Sequence, residues 1–517
     1  LVPWSAHTSL GRVLDVISLG VAVFALWWLW HIRSAFPGRL VPGSWLRAIL
    51  AVIVGGVTTL AVTWLCLMLV HKDVTPRGLV VAVLAALGDP DSVRHGRFAA
   101  VPGWLLDVTA ILLSLTIIAA VALFLGAARH RTRWSGAREL QIRRLLAAYG
   151  ESDSLGYFAT RRDKDSMFSR DDQAVVLYRV TGGVSLASGD PVGRPESWGS
   201  AVASWLAEAR DYGWLPTVLG ASEEGAKAYA AAGLSVIAMG DEAILDPARF
   251  DLRRTSMSPV RHAVQRAARA GLTVTFHRQE DLPPAELREI LEKAEQWRGD
   301  EPERGFSMAL NREADPADGR ILFATARDPE GHLAGLLSFV PWGRSGVSLD
   351  LMRRAPDAPN GVTELLVARV MEAAPELGIR RVSLNFCMFR SIFEDATRVG
   401  AGSITRFNAS VLGFFDRFWQ LERLYRSNAK FEPQWYPRFI CYQDVMSIPH
   451  AAIASGSAEG FLPAPPFARF SGSPNGRLSD AELAEVAALV AAPVTDVDQV
   501  GPRRSDQTRH RLAHLGA

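Results

Sequence analysis

The sequence predicts an α-helical membrane region followed by an α/β part made of two tandem units with mixed sheets. Three observations predict it. Long apolar segments are confined to the first quarter of the chain. From about Gln141 the pattern changes to short strands alternating with amphipathic helices. The grammar of hairpin, helix and further strand then occurs twice. At 517 residues the chain is long enough for about three or four domains. The expected division is 1–130 for transmembrane helices, 131–252 and 253–450 for the two α/β units, and 451–517 for a C-terminal extension.

Val13–Ile32, Ala48–Val70 and Val108–Ala128 are each long enough to cross about 30 Å of hydrocarbon at about 1.5 Å per residue. A buried core helix is the competing reading, but core helices of this length normally carry a polar face. Leu79–Gly88 is too short to span. Arg129, Arg131, Arg133, Arg138, Arg143 and Arg144 follow the third span closely, which places the C-terminal part in the cytoplasm. The first residue is Leu1, and further natural sequence with more spans is expected upstream.

In the α/β part, "AVVLYRV" and "VSLASGD" read as strands around the turn Thr181-Gly182-Gly183. "SWGSAVASWLAEARDYG" reads as a helix, "PTVLGA" as a strand, "EEGAKAYAAAGL" as a helix and "SVIAMGDEAIL" as a strand. The second half repeats the scheme. Helix "SPVRHAVQRAARAGL", strand "TVTFH" and helix "PAELREILEKAEQW" precede the strands "RILFATARD", "HLAGLLSFVPW" and "SGVSLDLMR". The helix "GVTELLVARVMEAAPELG" and the strand "RRVSLNF" follow.

Composition narrows the chemistry. Net charge is only +2, and the three cysteines, Cys66, Cys387 and Cys441, have no short-spaced pair, so neither a zinc cluster nor a disulfide framework is expected. No P-loop is present, and no metal or cofactor is implied. The strand and helix order is similar to the N-acetyltransferase (GNAT) fold. The usual user of that fold holds acyl-CoA through R/Q-x-x-G-x-G/A at a helix start. After "SLDLMR" there is no such turn, and "RVGAG" at 398–402 has the wrong spacing, so the acyl donor is not expected to be a CoA thioester.

Several long strings carry a more specific likeness: "DSLGYFATRRDK", "LASGDPVG", "GDEAIL", "ERGFSMAL", "VSLDLMRRAPDAPNG", "SLNFCMFRSIFE" and "LYRSNAKFEPQWYPRFICY". On these, Gln141 to about Leu462 resembles the catalytic domain of the phosphatidylglycerol lysyltransferases (multiple peptide resistance factor family). It is most similar to the bifunctional type that is followed by a lysyl-tRNA synthetase. The last stretch, "RRSDQTRHRLAHLGA", resembles the lead-in to such a module. The resemblance implies transfer of lysine from lysyl-tRNA to a glycerol hydroxyl of phosphatidylglycerol at the inner membrane. The partners it implies are that tRNA, that lipid, the bilayer and a fused or separate synthetase. A homo-oligomer is compatible with it.

Such a transfer must deprotonate a hydroxyl, stabilise an oxyanion and hold two phosphate-bearing substrates. Asp350 and Arg353, three apart, would point to opposite faces of a regular strand, so the strand is expected to bend or end there. A surface ion pair is the plainer reading. The resemblance assigns Asp350 to orienting the hydroxyl or the donor's α-amine, and Arg353 to a phosphate or the terminal ribose. Pro433 is expected to stop a helix and Pro437 to start a strand, holding Lys430 and Arg438 on a stiff bend. Lys430 is the expected oxyanion or phosphate group, although a lysine there also suits a helix C-terminus. His262, Arg266 and Arg269 share one helix face, which suits tRNA or lipid headgroups or simply a solvated surface. Asp190, in "GDPVG", is a candidate that also fits a turn former. Asn385 and Glu394 read as mainly structural. Competing functions are transfer of alanine or ornithine, transfer to diacylglycerol or a peptidoglycan precursor, and a flippase for the aminoacylated lipid.

Overall fold

The computed structural model describes residues 44–70, 103–125, 134–299, 305–312, 314–388, 425–460, 462 and 477–491. Helices α1 (Ser44–Val70) and α2 (Gly103–Leu125) belong to one compact unit. They meet through small residues. The Thr63 and Thr109 hydroxyls are 3.0 Å apart, and a Cβ on Gly55 would fall 2.4 Å from Thr116 Cγ2. Close approach through Gly and Thr is how apolar helices pack when hydrophobicity cannot drive them together. Their outer faces expose Ile53, Val57, Leu115 and Ile118.

Among the described residues one helix is long and apolar enough to cross a membrane, through Ala48–Cys66; α2 adds a shorter apolar stretch, Ile111–Val121. The expected span Val13–Ile32, the run Leu79–Gly88 and the arginines 129, 131 and 133 lie outside the described residues, as do Glu394 and the C-terminal lead-in.

The elements from α3 (Gly136–Tyr149) onward, apart from Arg210–Trp214, form the second unit. Its strands are β1 (Asp165–Phe168), β2 (Ala174–Thr181), β3 (Val184–Ser188) and β4 (Val192–Gly193), then helix α4 (Pro195–Tyr212), β5 (Leu215–Ala221), α5 (Glu223–Ala231) and β6 (Ser235–Leu245). Helix α6 (Ser258–Arg269), β7 (Thr273–Arg278) and α7 (Pro284–Arg298) open the second half. It continues with β8 (Leu322–Arg327), β9 (Leu333–Trp342), β10 (Gly346–Arg354), α8 (Val362–Ala373), β11 (Arg381–Met388), β12 (Gln434–Tyr442), α9 (Ile448–Ala458) and α10 (Asp480–Ala491).

The strands make one sheet ordered β1-β2-β3-β5-β12-β6-β11-β10-β9-β8-β7, with β4 on β2. Two pairs are parallel, β3 with β5 and β10 with β11; each joins a hairpin to the strand that follows a helix. The repeated grammar of the sequence is this repeat. The sheet does not break between the halves. β6 of the first half pairs with β11 of the second, and β12, the last of the described strands, lies between β5 and β6.

Pro437 does not start β12 as expected but lies within it. It sits where β12 is bonded to β6 alone, since pairing with β5 begins only at Phe439. A residue without an N–H is tolerated where one flank has no ladder.

The two parallel pairs differ. β3 and β5 stay paired from Val184 to Ser188. β10 and β11 pair only through Ser348 and Ser383 and then part. Both strands are irregular just beyond that point. β10 shifts register between Leu349 and Leu351, and β11 between Ser383 and Phe386, where Asn385 has φ 65°. A gap therefore opens between two neighbouring strands in the middle of the sheet.

Candidate active site

Asp350 is the extra residue of the β10 bulge: Leu349 faces Phe339 and Leu351 faces Ser338. The bend expected between Asp350 and Arg353 is this bulge, and the strand continues to Arg354. The Leu351 N–H donates to the Ser338 hydroxyl at 3.1 Å, so this donor stays satisfied at the bulge. Asp350 Oδ1 accepts the Leu310 N–H at 2.8 Å. Arg353, half-buried, donates to the Met352 carbonyl at 3.3 Å.

On β11 the Asn385 amide nitrogen donates to the Leu349 carbonyl at 2.6 Å and to the Met308 carbonyl at 3.4 Å. Two carbonyl neighbours fix the orientation of the amide, because its oxygen could accept from neither. Asn385 thus ties the parted strands and a neighbouring loop together.

Lys430 follows the short helix at 425–429, and Glu432 turns the chain with φ 54° before Pro433 and β12. Lys430 Nζ is 2.5 Å from Glu364 Oε1, in the first turn of α8. The adjacent Phe431, 3 % exposed, packs in one apolar cluster with Leu349 of β10 and Val362 and Leu365 of α8. The structure therefore brings the bend carrying Lys430 to the helix that leaves β10.

His262, Arg266 and Arg269 are all exposed on α6, whose opposite face buries Val260, Val264 and Ala267. Helix α6 itself packs closely on α8. Gly361, at the start of α8, has φ 105°, and a Cβ there would fall 2.3 Å from the Ala263 carbonyl oxygen. Only glycine lets the two helices approach so closely. Arg261 is held by the Leu252 and Arg254 carbonyls, and Arg254 lies 3.7 Å from Glu432. A cavity of about 120 Å³ lined in part by Arg249, Arg254, Phe431 and Glu432 lies beside the bend.

Arg438 and Asp190 have surroundings unlike those expected. Arg438 is 4 % exposed. Its Nε donates to Glu242, its Nη1 to the Gly220 carbonyl, and its Nη2 to Ser154 and Glu242, with Asp153 at 2.8 Å. Every guanidinium nitrogen is engaged inside the protein. Desolvation opposes its charge, but Asp153, Glu242 and Asp190 outweigh it and hold it firmly protonated.

Glu242 takes the other end of this network, accepting from the Ser154 and Ser383 hydroxyls. Asp190 accepts the N–H of Ser222 at 2.8 Å and its hydroxyl at 2.5 Å, and Ser222 caps α5. Burial, then the Asp153 charge, push the Asp190 carboxyl up to about 7. Both residues hold β12 and α5 in place instead of facing a cleft.

Sequence reasoning missed Glu364 and Glu242. Glu364 looked like any acid in an amphipathic helix. Glu242 carried a signal, since with Asp241 it interrupts an otherwise apolar strand in "GDEAIL".

A family model described as "Phosphatidylglycerol lysyltransferase, C-terminal" matches residues 143–442, and this chain belongs to that family. The chain is 42% identical over 527 residues to the lysylphosphatidylglycerol biosynthesis bifunctional protein LysX of Mycobacterium marinum, covering 98% of this chain and 46% of that protein. It is 42% identical over 532 residues to the protein of the same name in Rhodococcus opacus, covering 99% and 46%. The chain thus spans about half the length of the curated relatives it matches.

Two solved structures share the fold. One is L-PGS from Bacillus licheniformis, with a TM-score of 0.55 at 21% identity, over 65% of this chain and 99% of that one. The other is the C-terminal domain of a lysylphosphatidylglycerol synthetase from Agrobacterium fabrum, with a TM-score of 0.54 at 23% identity, over 64% and 100%.

Proposed function

We propose that the chain transfers lysine from lysyl-tRNA to phosphatidylglycerol. A glycerol hydroxyl attacks the lysyl carbonyl carbon and forms the new ester. The ester to the terminal ribose breaks, and the hydroxyl proton ends on the ribose oxygen. Asp350 orients the hydroxyl or the α-amine, Arg353 holds a phosphate or the ribose, and Lys430 stabilises the oxyanion or a phosphate. The observation that carries this reading is the opened gap between β10 and β11, with Asp350 in the bulge at its edge and Lys430 tied to the start of α8. The relatives' names, which speak of lysylphosphatidylglycerol biosynthesis, support the choice of lysine and lipid.

The exposed basic face of α6 is the proposed tRNA or headgroup surface. The repeated hairpin, helix and parallel strand support reading 131–252 and 253–450 as two acetyltransferase-like units sharing one sheet. The apolar helix α1 supports an inner-membrane location, with the catalytic part in the cytoplasm where charged tRNA exists. Residues 451–517 are read as a C-terminal extension within the second unit.

A panel of donors and acceptors tests this function. Lysyl-, alanyl- and ornithyl-tRNA are each offered with phosphatidylglycerol or diacylglycerol to the purified chain. Label is expected only in lysylphosphatidylglycerol. Label in another product identifies that transfer instead.

A further inference from the structure

The loop that meets Asp350 is itself held from outside β10. Glu459, directly after α9 and 1 % exposed, accepts the Phe306 N–H at 2.8 Å, the Ser307 N–H at 3.1 Å and the Ser307 hydroxyl at 2.5 Å. Arg161 donates to the Gly305 carbonyl at 2.6 Å and also to the Ala309 carbonyl. Lys164 and Arg179 each lie 4.7 Å from the centre of the Phe306 ring. Gly305 has φ 98°, and a Cβ there would come 2.7 Å from Ala309 Cβ, so the loop folds tightly back on itself. One end of this clamped loop delivers the Leu310 N–H to Asp350 Oδ1.

We propose that Glu459 is a positioning residue for Asp350, acting through the loop 305–310. This rests on the role given to Asp350 under the proposed function. The Leu310 N–H restrains one oxygen of Asp350 directly, so a shift of that amide shifts the carboxylate. Glu459 fixes the N–H in turn, because its two oxygens satisfy two successive backbone donors that would otherwise be buried and unpaired.

Glu459→Gln keeps the size but replaces one oxygen with an NH₂ group, setting a donor against a donor. The variant is expected to lower kcat about ten- to a hundredfold, the scale of a misplacement near 1 Å, with KM for both substrates changed by less than about twofold. Ser307→Ala, which spares both backbone bonds, is expected to stay within about twofold of wild type. Glu459→Asp, shorter by one methylene, is read by the same criteria if Glu459→Gln does not fold.

Hydrogen exchange at the Leu310 amide, followed without substrate, is the second readout. Protection is expected in wild type and faster exchange in the Glu459 variant. Unchanged exchange, or unchanged kcat, overturns the inference. Failure of the functional reading looks different: wild type itself transfers no lysine, whatever Leu310 does.

Discussion

Lys430 and Glu364 form an ion pair at 2.5 Å that joins the bend before β12 to the first turn of α8. Their side chains are 25 % and 20 % exposed, so solvent screens the pair and it contributes on the order of 1 kcal/mol or less. Glu364 also sits where a helix dipole favours a negative charge. The pair is therefore a modest structural contact around a cation near the proposed site. Lys430→Ala is expected to lower transfer at least about a hundredfold, the scale of losing one oxyanion donor, while denaturant unfolding moves by about 1 kcal/mol or less. Parallel rate and unfolding measurements check this. Near-normal turnover removes Lys430 from the mechanism.

Arg438 should behave in the opposite way. Its replacement leaves Glu242, Asp153 and Asp190 as buried carboxylates without their shared cation. Breaking such a network costs about 3–5 kcal/mol. Arg438→Met is expected to lose that much in urea unfolding. A folded, equally stable variant with impaired donor binding restores Arg438 to a substrate role.

These two residues show what the sequence could and could not reveal. "LYRSNAKFEPQWYPRFICY" exposed the stiff bend, because Pro433 fixes local geometry. It could not reveal that Arg438 is turned inward, since its partners Asp153 and Glu242 are hundreds of residues away. The strand order was legible in its periodicity, and the bulge at Asp350 in the awkward three-residue spacing. The single sheet was not legible, because the pairing of β12 between β5 and β6 leaves no local mark.

Asp190 predicts a pH dependence of stability. Its carboxyl is raised in the folded state to about 7 from an ordinary value near 3.8. The folded protein therefore binds this proton more tightly than the unfolded chain. The resulting stabilisation is complete below about pH 4 and is lost as pH rises through 7. Asp190→Asn is expected to flatten this part of the profile, so that its Tm relative to wild type rises between pH 5 and pH 8. Parallel Tm curves over that range contradict the assignment.

Donor binding should weaken steeply with salt. Log affinity falls with log salt by about 0.9 per phosphate contact on duplex nucleic acid. Reversing charge at Arg266 and Arg269, both exposed on α6, is expected to flatten that slope for tRNA. An unchanged slope assigns this face to lipid or to solvent.

The central claim is that lysine moves from tRNA to phosphatidylglycerol at the β10 bulge. It is tested most directly by incubating the purified chain and its Asp350→Ala variant with radiolabelled lysyl-tRNA and phosphatidylglycerol vesicles, then counting label in the lipid phase. Label is expected to accumulate in lysylphosphatidylglycerol with wild type and to fall to background with a variant that keeps the wild-type Tm. Equal labelling by the two proteins, or none by wild type, contradicts the account.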